Sequence, residues 1–589
     1  MYRNKHSDID SKTICLLVND IATDFSKSVI HGAAESIPDN KEVHLVVLAG
    51  FYDYGGDISD KRHRYNYVYN SIYKMAELGR FDGLIFSFDK AGYKVGMQND
   101  EYLRRFGDIP MVFVATEQEG CVTVNYDNET GMKEMIDCLM NFHRFTKIGM
   151  LGGRDDNSDA RKRKEIFIRN LREYGIEFSE EYYEKTDMSI NSEQAAARLI
   201  DRVPDIQAIF CVNDATAVGL YSAMSKKGLV PGENIMVIGF DNTHLAEELQ
   251  PSLTSIGSDT VALGQKAMEL ILKMSDGEQA ESAAVRTRLY GRESMRYESY
   301  EYTTQELLNI DHDFIYRMFD DCFYRYSSEH ISREQVNLRR LFFEFISGMI
   351  YAMGRSYMSA ERFIELSRMI DIFFAHGATR YTDVTKLIKS IVRLQDSMNR
   401  NMAGSGALTQ INRLFTRMRD KALNAISCQH KIYETENVMK REALHNFIVS
   451  SMCFDHARNN GLLGVIKSFG QFGFKNAALC FYEKPIEYYE DKVPEIPGHI
   501  NVCCVIKDGE QYVIPGERQR RNFKDLFDTD EFFARCSTNM VFPVFYGNKV
   551  YGMIICELTD EIYDNGEFIA AHIGMAVNIA ELSGSMETC

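Results

Sequence analysis

The chain has 589 residues, more than one ordinary core can organise, and the usual domain size divides it into about three or four domains. Its formal net charge of −18 argues against broad attraction to nucleic acid or anionic membrane, and no run reaches the ~18 continuous apolar residues of a membrane span. Its 13 cysteines are odd in number and contain no Cys-x-x-Cys pair, which disfavours a zinc knuckle or a disulfide framework and predicts reduced, buried thiols.

Residues 1–12 are polar and read as a tail, with no apolar run of signal-peptide length, so the sequence predicts a cytoplasmic protein. From Thr13 short apolar runs alternate with amphipathic stretches, the pattern of βαβ units and a mostly parallel sheet. Ile14–Val18, Val43–Leu48, Phe81–Phe88 and Met111–Val114 are the first four expected strands, and Phe25, Val29, Ile30 and Ala33 form the apolar face of the first helix. Gly55-Gly56-Asp57 superficially resembles a cyclic-dinucleotide synthase motif, but Ile58-Ser59 follows where that motif needs Glu-Phe. Asp127-Asn128 is placed to cap a helix. Lys147–Leu151 opens a second lobe, and the helix from Ser158 to Tyr174 starts with a basic run that reads as a solvated face.

The two most informative strands come next. Ala208–Val212 and Ile235–Phe240 are uninterrupted apolar runs, as in strands buried on both faces of a parallel sheet. Each ends in an acid and an amide, Asn213-Asp214 and Asp241-Asn242, at the edge where open α/β sheets present polar groups to ligands. Either acid also reads as a helix cap.

From about 298 to 400 apolar residues recur at helical spacing without proline. Residues 401–440 carry a second series, Leu408, Ile411, Phe415, Met418, Ala422, Ala425 and Ile432, with Gln429 as a polar position. That series predicts either a dimeric coiled coil or a hairpin with the helix containing Val384, Leu387, Ile391, Leu394 and Met398. Residues 441–585 then read helix, several strands with a Gly-Asn turn at 547–548, and a last helix, an α+β pattern that resembles a GAF-like sensor domain.

CVNDATAVGL at 211–220, Gly228-Leu-Val-Pro-Gly232, VIGFDN at 237–242 and Pro251-Ser-Leu-Thr-Ser-Ile256 together resemble the sensor domain of the LacI/GalR repressor family, itself similar to periplasmic sugar-binding proteins. FDGLIFS at 81–87, IPMVFVATEQEGCVTVNYDNETG at 109–131 and KIGMLGG at 147–153 fit the same family in order. The resemblance implies an α/β, two-lobed, periplasmic-binding-protein-like fold over 13–297 with a small ligand between the lobes. At the family's matching positions this chain offers Phe25, Arg163, Asn213, Asp214 and Asp241, with Phe240 and Ser258 as further candidate ligand contacts. It departs where sugar-binding relatives carry an Asp-Arg pair, here Ala115-Thr116, and at Thr23 and Ser258: either the ligand is less hydroxylated than a hexose, or Asp20 and Glu117 take over, or the pocket has lost its ligand. Arg163 also reads as one of several surface cations, and Phe25 as core.

The expected protein is a non-enzymatic sensor, without metal or cofactor, that binds a small polar metabolite such as a sugar or nucleoside and acts as a homodimer away from membranes. The first strand begins where the family's helix-turn-helix would stand, which predicts no direct DNA binding. No output domain follows the last helix, so the chain is expected to be truncated or to signal through a partner. A transcriptional regulator acting on DNA through a partner, or the sensor half of a diguanylate-cyclase-type protein, are the alternatives.

Overall fold

The computed structural model describes residues 11–582 apart from 20, 22, 39–42, 52–63, 89–97, 117, 156, 296–311, 324–325, 327–335, 383, 402–403, 453–471, 490–494 and 528–537. Asp20, Glu117, the Gly55-Gly56-Asp57 motif and the expected boundary at 297 lie outside the described residues. By contacts the chain forms two units, one of residues 1–299 with 445–589 and the other of residues 300–444.

The larger unit begins as an alternating α/β fold. Its first lobe is the parallel array of β1 (Lys12–Val18), β2 (Val43–Ala49), β3 (Gly83–Phe86), β4 (Met111–Val114) and β5 (Val122–Asp127), in the order β2-β1-β3-β4-β5. Every residue of β1 and β3 is buried, as their unbroken apolar runs require of central parallel strands. The second lobe has parallel strands β6 (Ile148–Gly152), β7 (Tyr183–Lys185), β8 (Ala208–Cys211), β9 (Met236–Phe240) and β10 (Thr254–Ser258), in the order β7-β6-β8-β9-β10. One strand joins the two sheets. β11 (Ala283–Tyr290) runs parallel to β5 through its first half and antiparallel to β10 through its second.

Helix Asp24–Glu35 of the first lobe lies against helix Thr260–Ser275 with almost no space between the backbones. A Cβ on Gly32 would sit 2.0 Å from the Val261 carbonyl oxygen, and one on Gly264 would sit 2.1 Å from that of Val29. Only glycine permits that approach.

The C-terminal region contributes an antiparallel sheet of β12 (Ala477–Glu487), β13 (His499–Lys507), β14 (Glu510–Val513), β15 (Arg520–Asn522), β16 (Thr538–Tyr546) and β17 (Lys549–Glu557). β14 and β15 both pair with β13, which leads on through β12 and β17 to β16. Helix Asp560–Leu582 covers β16, and a Cβ on Gly574 would meet the Phe545 carbonyl at 1.9 Å. β16 also pairs in parallel with β2, joining Thr538–Val541 to Leu45–Leu48 and making the C-terminal sheet continuous with the first lobe. The sequence reading placed the receptor, helices and C-terminal domain in series; the strand pairing instead places the first and last of these side by side.

The smaller unit is helical. His312–Cys322, Leu338–Gly354, Ala360–Ala375, Val384–Asn401 and the first part of Leu408–Met452 enclose a core rich in phenylalanine, including Phe319, Phe323, Phe342, Phe345 and Phe373. Phe323 and Phe373 meet edge to face at 5.3 Å, the favoured arrangement of aromatic quadrupoles. The expected boundaries at 400 and 440 do not interrupt structure at 440, since one helix runs from Leu408 to Met452. Ile411, Phe415, Met418 and Ala422 share the core with Leu387, Ile391, Leu394 and Met398, and Gln395 Nε2 donates to Asn412 Oδ1 at 2.7 Å. Over 408–422 the apolar stripe is therefore buried within one chain, the hairpin arrangement, and needs no coiled-coil partner there.

Ile411→Ala deletes three carbons from a fully buried site, and the expected cost is about 2–5 kcal/mol. Hydrogen exchange in Leu338–Gly354 and Ala360–Ala375 should accelerate accordingly, while light scattering reports the same particle size as the wild type.

Candidate functional site

The ends of β8 and β9 build the site. At the end of β8, Asn213 caps helix Asp214–Lys226: its Oδ1 accepts the Thr216 N–H at 2.9 Å, and its Nδ2 donates to the Met188 carbonyl at 3.0 Å. Asp214 is the first helical residue rather than the cap, and its side chain points inward with no solvent exposure. One carboxylate oxygen accepts the Thr243 N–H at 2.7 Å and the Thr243 hydroxyl at 3.0 Å, and the other accepts the Ser255 hydroxyl at 2.6 Å. A Cβ on residue 239 would come within 2.2 Å of that carboxylate, so Gly239 makes room for it.

Asp214 thereby holds the turn after β9. Asp241 and Asn242 have φ of 97° and 51°, left-handed conformations that non-glycine residues adopt at a cost of order 1–3 kcal/mol each. Hydrogen bonds to neighbouring elements hold the turn. Asp241 N–H donates to the Ile256 carbonyl at 2.7 Å and Asn242 N–H to Ser255 Oγ at 3.1 Å. The Arg292 guanidinium donates to Asn242 Oδ1 at 2.8 Å. The short helix His244–Glu248 takes Thr243 as its N-cap residue, so Asp241 is not a cap.

Asp241 faces Arg163, whose guanidinium is almost entirely buried. Arg163 donates to Asp241 Oδ1 at 3.1 Å, to the Val212 carbonyl at 2.7 Å and to Asn128 Oδ1 at 3.3 Å, and lies 3.5 Å over the Phe240 ring. The cation is thus paired, hydrogen-bonded and stacked, as burial of a charge demands. The Asp241 side chain keeps 38% of its exposure: protein surrounds it, yet water reaches its outer face. That enclosure pushes its carboxyl above the usual range, Arg163 pulls it back, and the nearby Asp159 charge raises it further.

Of the sequence-derived residues, the structure therefore brings Arg163, Phe240 and Asp241 together and commits Asn213 and Asp214 to the surrounding framework. Ser258 ends β10 beside the same turn, since a Cβ on neighbouring Gly257 would touch Asn242. Its hydroxyl is buried without a partner among the described residues, as is the side-chain Oδ1 of Asn19, just past the end of β1. Phe25 lies half-buried in the first turn of helix Asp24–Glu35.

Sequence reasoning missed Tyr126, Asn128, Asp159 and Asn19. Tyr126, on β5, lies near enough to Asp241 that, after burial, the Asp241 charge pushes its phenol up. Its signal was its position, two residues along the strand from buried Val124 and so on the same face. Among the described residues no cluster of His, Cys, Asp or Glu has the makings of a metal site, and no helix is long and apolar enough to cross a membrane.

Burial, and then the Asp241 charge, push the Asp214 carboxyl up to about 7, against the pull of its three donors. A carboxyl raised on folding contributes stability that is fully present below the unfolded value, near 4, and lost as pH rises through about 7. Asp214→Asn retains an acceptor for Thr243 and lets Ser255 accept instead of donate, without a proton to lose. The expected outcome is that the urea midpoint of the second lobe, followed by hydrogen exchange in β8 and β9, falls from pH 5 to 8 in the wild type and falls less in the variant. Of the roughly three pKa steps about two fall between pH 5 and 8, a difference on the order of 3 kcal/mol.

Residues 140–295 match the family described as a periplasmic binding protein-like domain, which accounts for most of the second lobe. The HTH-type transcriptional repressor CytR of Escherichia coli strain K12 is 25% identical over 279 residues, spanning 47% of this chain and 76% of that protein. The HTH-type transcriptional repressor PurR of Photobacterium profundum is 29% identical over 270 residues, 45% of this chain and 74% of that protein. A solved transcriptional regulator CelR–cellobiose complex aligns with a TM-score of 0.39 at 19% identity, over 49% of this chain and 86% of that one.

Proposed function

We propose that the chain is a non-enzymatic, ligand-sensing regulator that binds a small polar metabolite, a sugar or a nucleoside, between its two α/β lobes. The observation that carries this reading is the Asp241–Arg163 pair, set on the Phe240 ring at a turn strained in two consecutive residues. Backbone strain and a buried cation are both expensive, and neither is needed to close a βαβ unit. A partly exposed carboxylate can accept two hydroxyl hydrogen bonds at once, while the guanidinium behind it fixes its orientation. Among the described residues Ser258 Oγ and Asn19 Oδ1 are buried polar atoms without partners, and Tyr126 is an aromatic residue near Asp241.

Closure of the lobes on a ligand shifts a two-state equilibrium by the difference in affinity between the states. We assign the C-terminal domain to the GAF-like class, supported by its antiparallel order β13-β12-β17-β16 and the helix across it. The helical unit is read as the transmitter. We place the homodimer contact on helix Leu408–Met452 beyond Ala422, where Leu423 and Val438 are more than half exposed.

A second reading is a transcriptional regulator acting on DNA directly or through a partner. It is favoured by CytR and PurR, both named transcriptional repressors, over 270 or more aligned residues. A mobility-shift assay on genomic fragments at low salt, with and without the metabolites below, separates it from the first.

A thermal-shift screen of D-glucose, D-galactose, D-ribose, adenosine and cytidine is expected to give at least one stabilising compound. Asp241→Ala and Arg163→Lys should each abolish the shift: the first removes the acceptor, the second the planar fork that stacks and pairs at once. At a hundredfold excess over Kd the wild type gains about 2.7 kcal/mol. An unchanged response in both variants would place the ligand elsewhere. Light scattering at micromolar concentration should report a dimer, and a monomer would overturn the proposed helix contact.

A further inference from the structure

The edge of the first lobe is occupied by the chain's own C-terminal domain. β2 would otherwise be an edge strand with a row of unpaired backbone groups, a liability that folded proteins cover or blunt. Here β16 covers it over Leu45–Leu48, and Met540 and Val541 are fully buried against it. The contact is more than a ladder. Cys15, Leu17, Val46 and Leu48 share one apolar core with Cys480, Val502, Val541, Met553 and Ile555, and the Phe81 and Phe527 rings meet at 5.7 Å.

A second contact runs through the 3-10 helix Asn66–Lys74, which follows β2 in the chain. Tyr69 meets the Phe545 ring edge-on at 4.7 Å, Tyr67 stacks on Tyr488 at 6.0 Å, and Val68 is buried with Phe545 and Val550. The same short helix reaches the other way. The Tyr73 hydroxyl donates to the Val18 carbonyl at 2.7 Å, and the Tyr102 hydroxyl donates to the Tyr73 carbonyl at 2.7 Å. Val18 is the last residue of β1, and Asn19, with its unpartnered oxygen, comes next.

We propose that the C-terminal domain is an allosteric module of the first lobe, coupled through the 3-10 helix and Tyr73 to the end of β1 at Asn19. One side of that helix is packed on Phe545 and the other is hydrogen-bonded to Val18, so repacking on the first side displaces the carbonyl on the second. Strands and packed rings transmit such shifts because they have few alternative arrangements. The proposed metabolite site gives the end of β1 its meaning, but the coupling itself stands without a ligand and is measured without one.

The test is hydrogen exchange of the full-length, ligand-free chain. In Phe545→Ala, amides of β16 and of Leu17–Asn19 should exchange about tenfold faster or more, with β8 and β9 of the second lobe changed less than about twofold. Tyr73→Phe should accelerate Leu17–Asn19 and leave β16 alone. Adding Phe545→Ala to it should bring no further change at Asn19. Acceleration confined to β16 in Phe545→Ala would overturn the proposal, because the domains would then be neighbours without coupling. Equal acceleration in β8 and β9 would overturn it too, as global destabilisation. Should Phe545→Ala aggregate, Phe545→Leu is expected to show the same pattern at smaller amplitude, and is judged by the same criteria.

Discussion

The buried charge of Arg163 is the constraint around which the second lobe is arranged. A guanidinium removed from water is tolerated only where its donors and its charge are all answered. The answers come from three places in the sequence: Val212 at the end of β8, Phe240 and Asp241 at the end of β9, and Asn128 after β5. Each strand end must therefore stop where it does, and the helix carrying Arg163 must lie across them. In the basic run at 160–164 Arg161 is exposed and Lys162 and Lys164 are half-buried, yet Arg163 turns inward and fixes three elements.

The same reasoning explains the position of Asp214. Its burial is costly, and its three donors all come from the turn and strand that follow Asp241. Asp214 thus restrains the backbone of Asp241 while Arg163 restrains its side chain. Two acids that look equivalent in sequence, each closing an apolar run, divide the work: one is an inner brace and the other faces water.

Much of this was legible in the residues. The apolar runs at 208–212 and 235–240 located β8 and β9, and Asp127 does cap its helix, accepting the Glu129 N–H at 2.9 Å. Arg163, Phe240 and Asp241 were identified from motifs and do meet. What sequence could not supply was pairing at a distance. β16 reads as an antiparallel hairpin strand, and its Gly-Asn turn at 547–548 points only to β17. Its parallel ladder with β2 joins residues nearly the whole chain apart, and nothing local encodes that choice. The helical stripe at 411–422 left a coil and a hairpin open for the opposite reason: periodicity shows that a face is buried but not against what, and the Val384–Asn401 helix supplied the cover. Tyr126 was missed because a tyrosine on a half-buried strand is ordinary until its neighbours are known.

The composite sheet changes what a domain boundary means in this chain. A serial reading makes the helical residues the sole link between receptor and C-terminal domain, because they lie between the two in sequence. In the larger unit those two regions share a ladder and an apolar core, so residues 300–444 are an excursion that leaves that unit and returns to it. Shared cores open together when their free energies are linked, whereas regions joined only by chain open independently. The first lobe is accordingly bound on one side to the C-terminal domain through β2, and on the other to the second lobe through β5 and β11. The C-terminal domain is therefore joined by backbone pairing to the first lobe rather than to the half that holds Arg163 and Asp241.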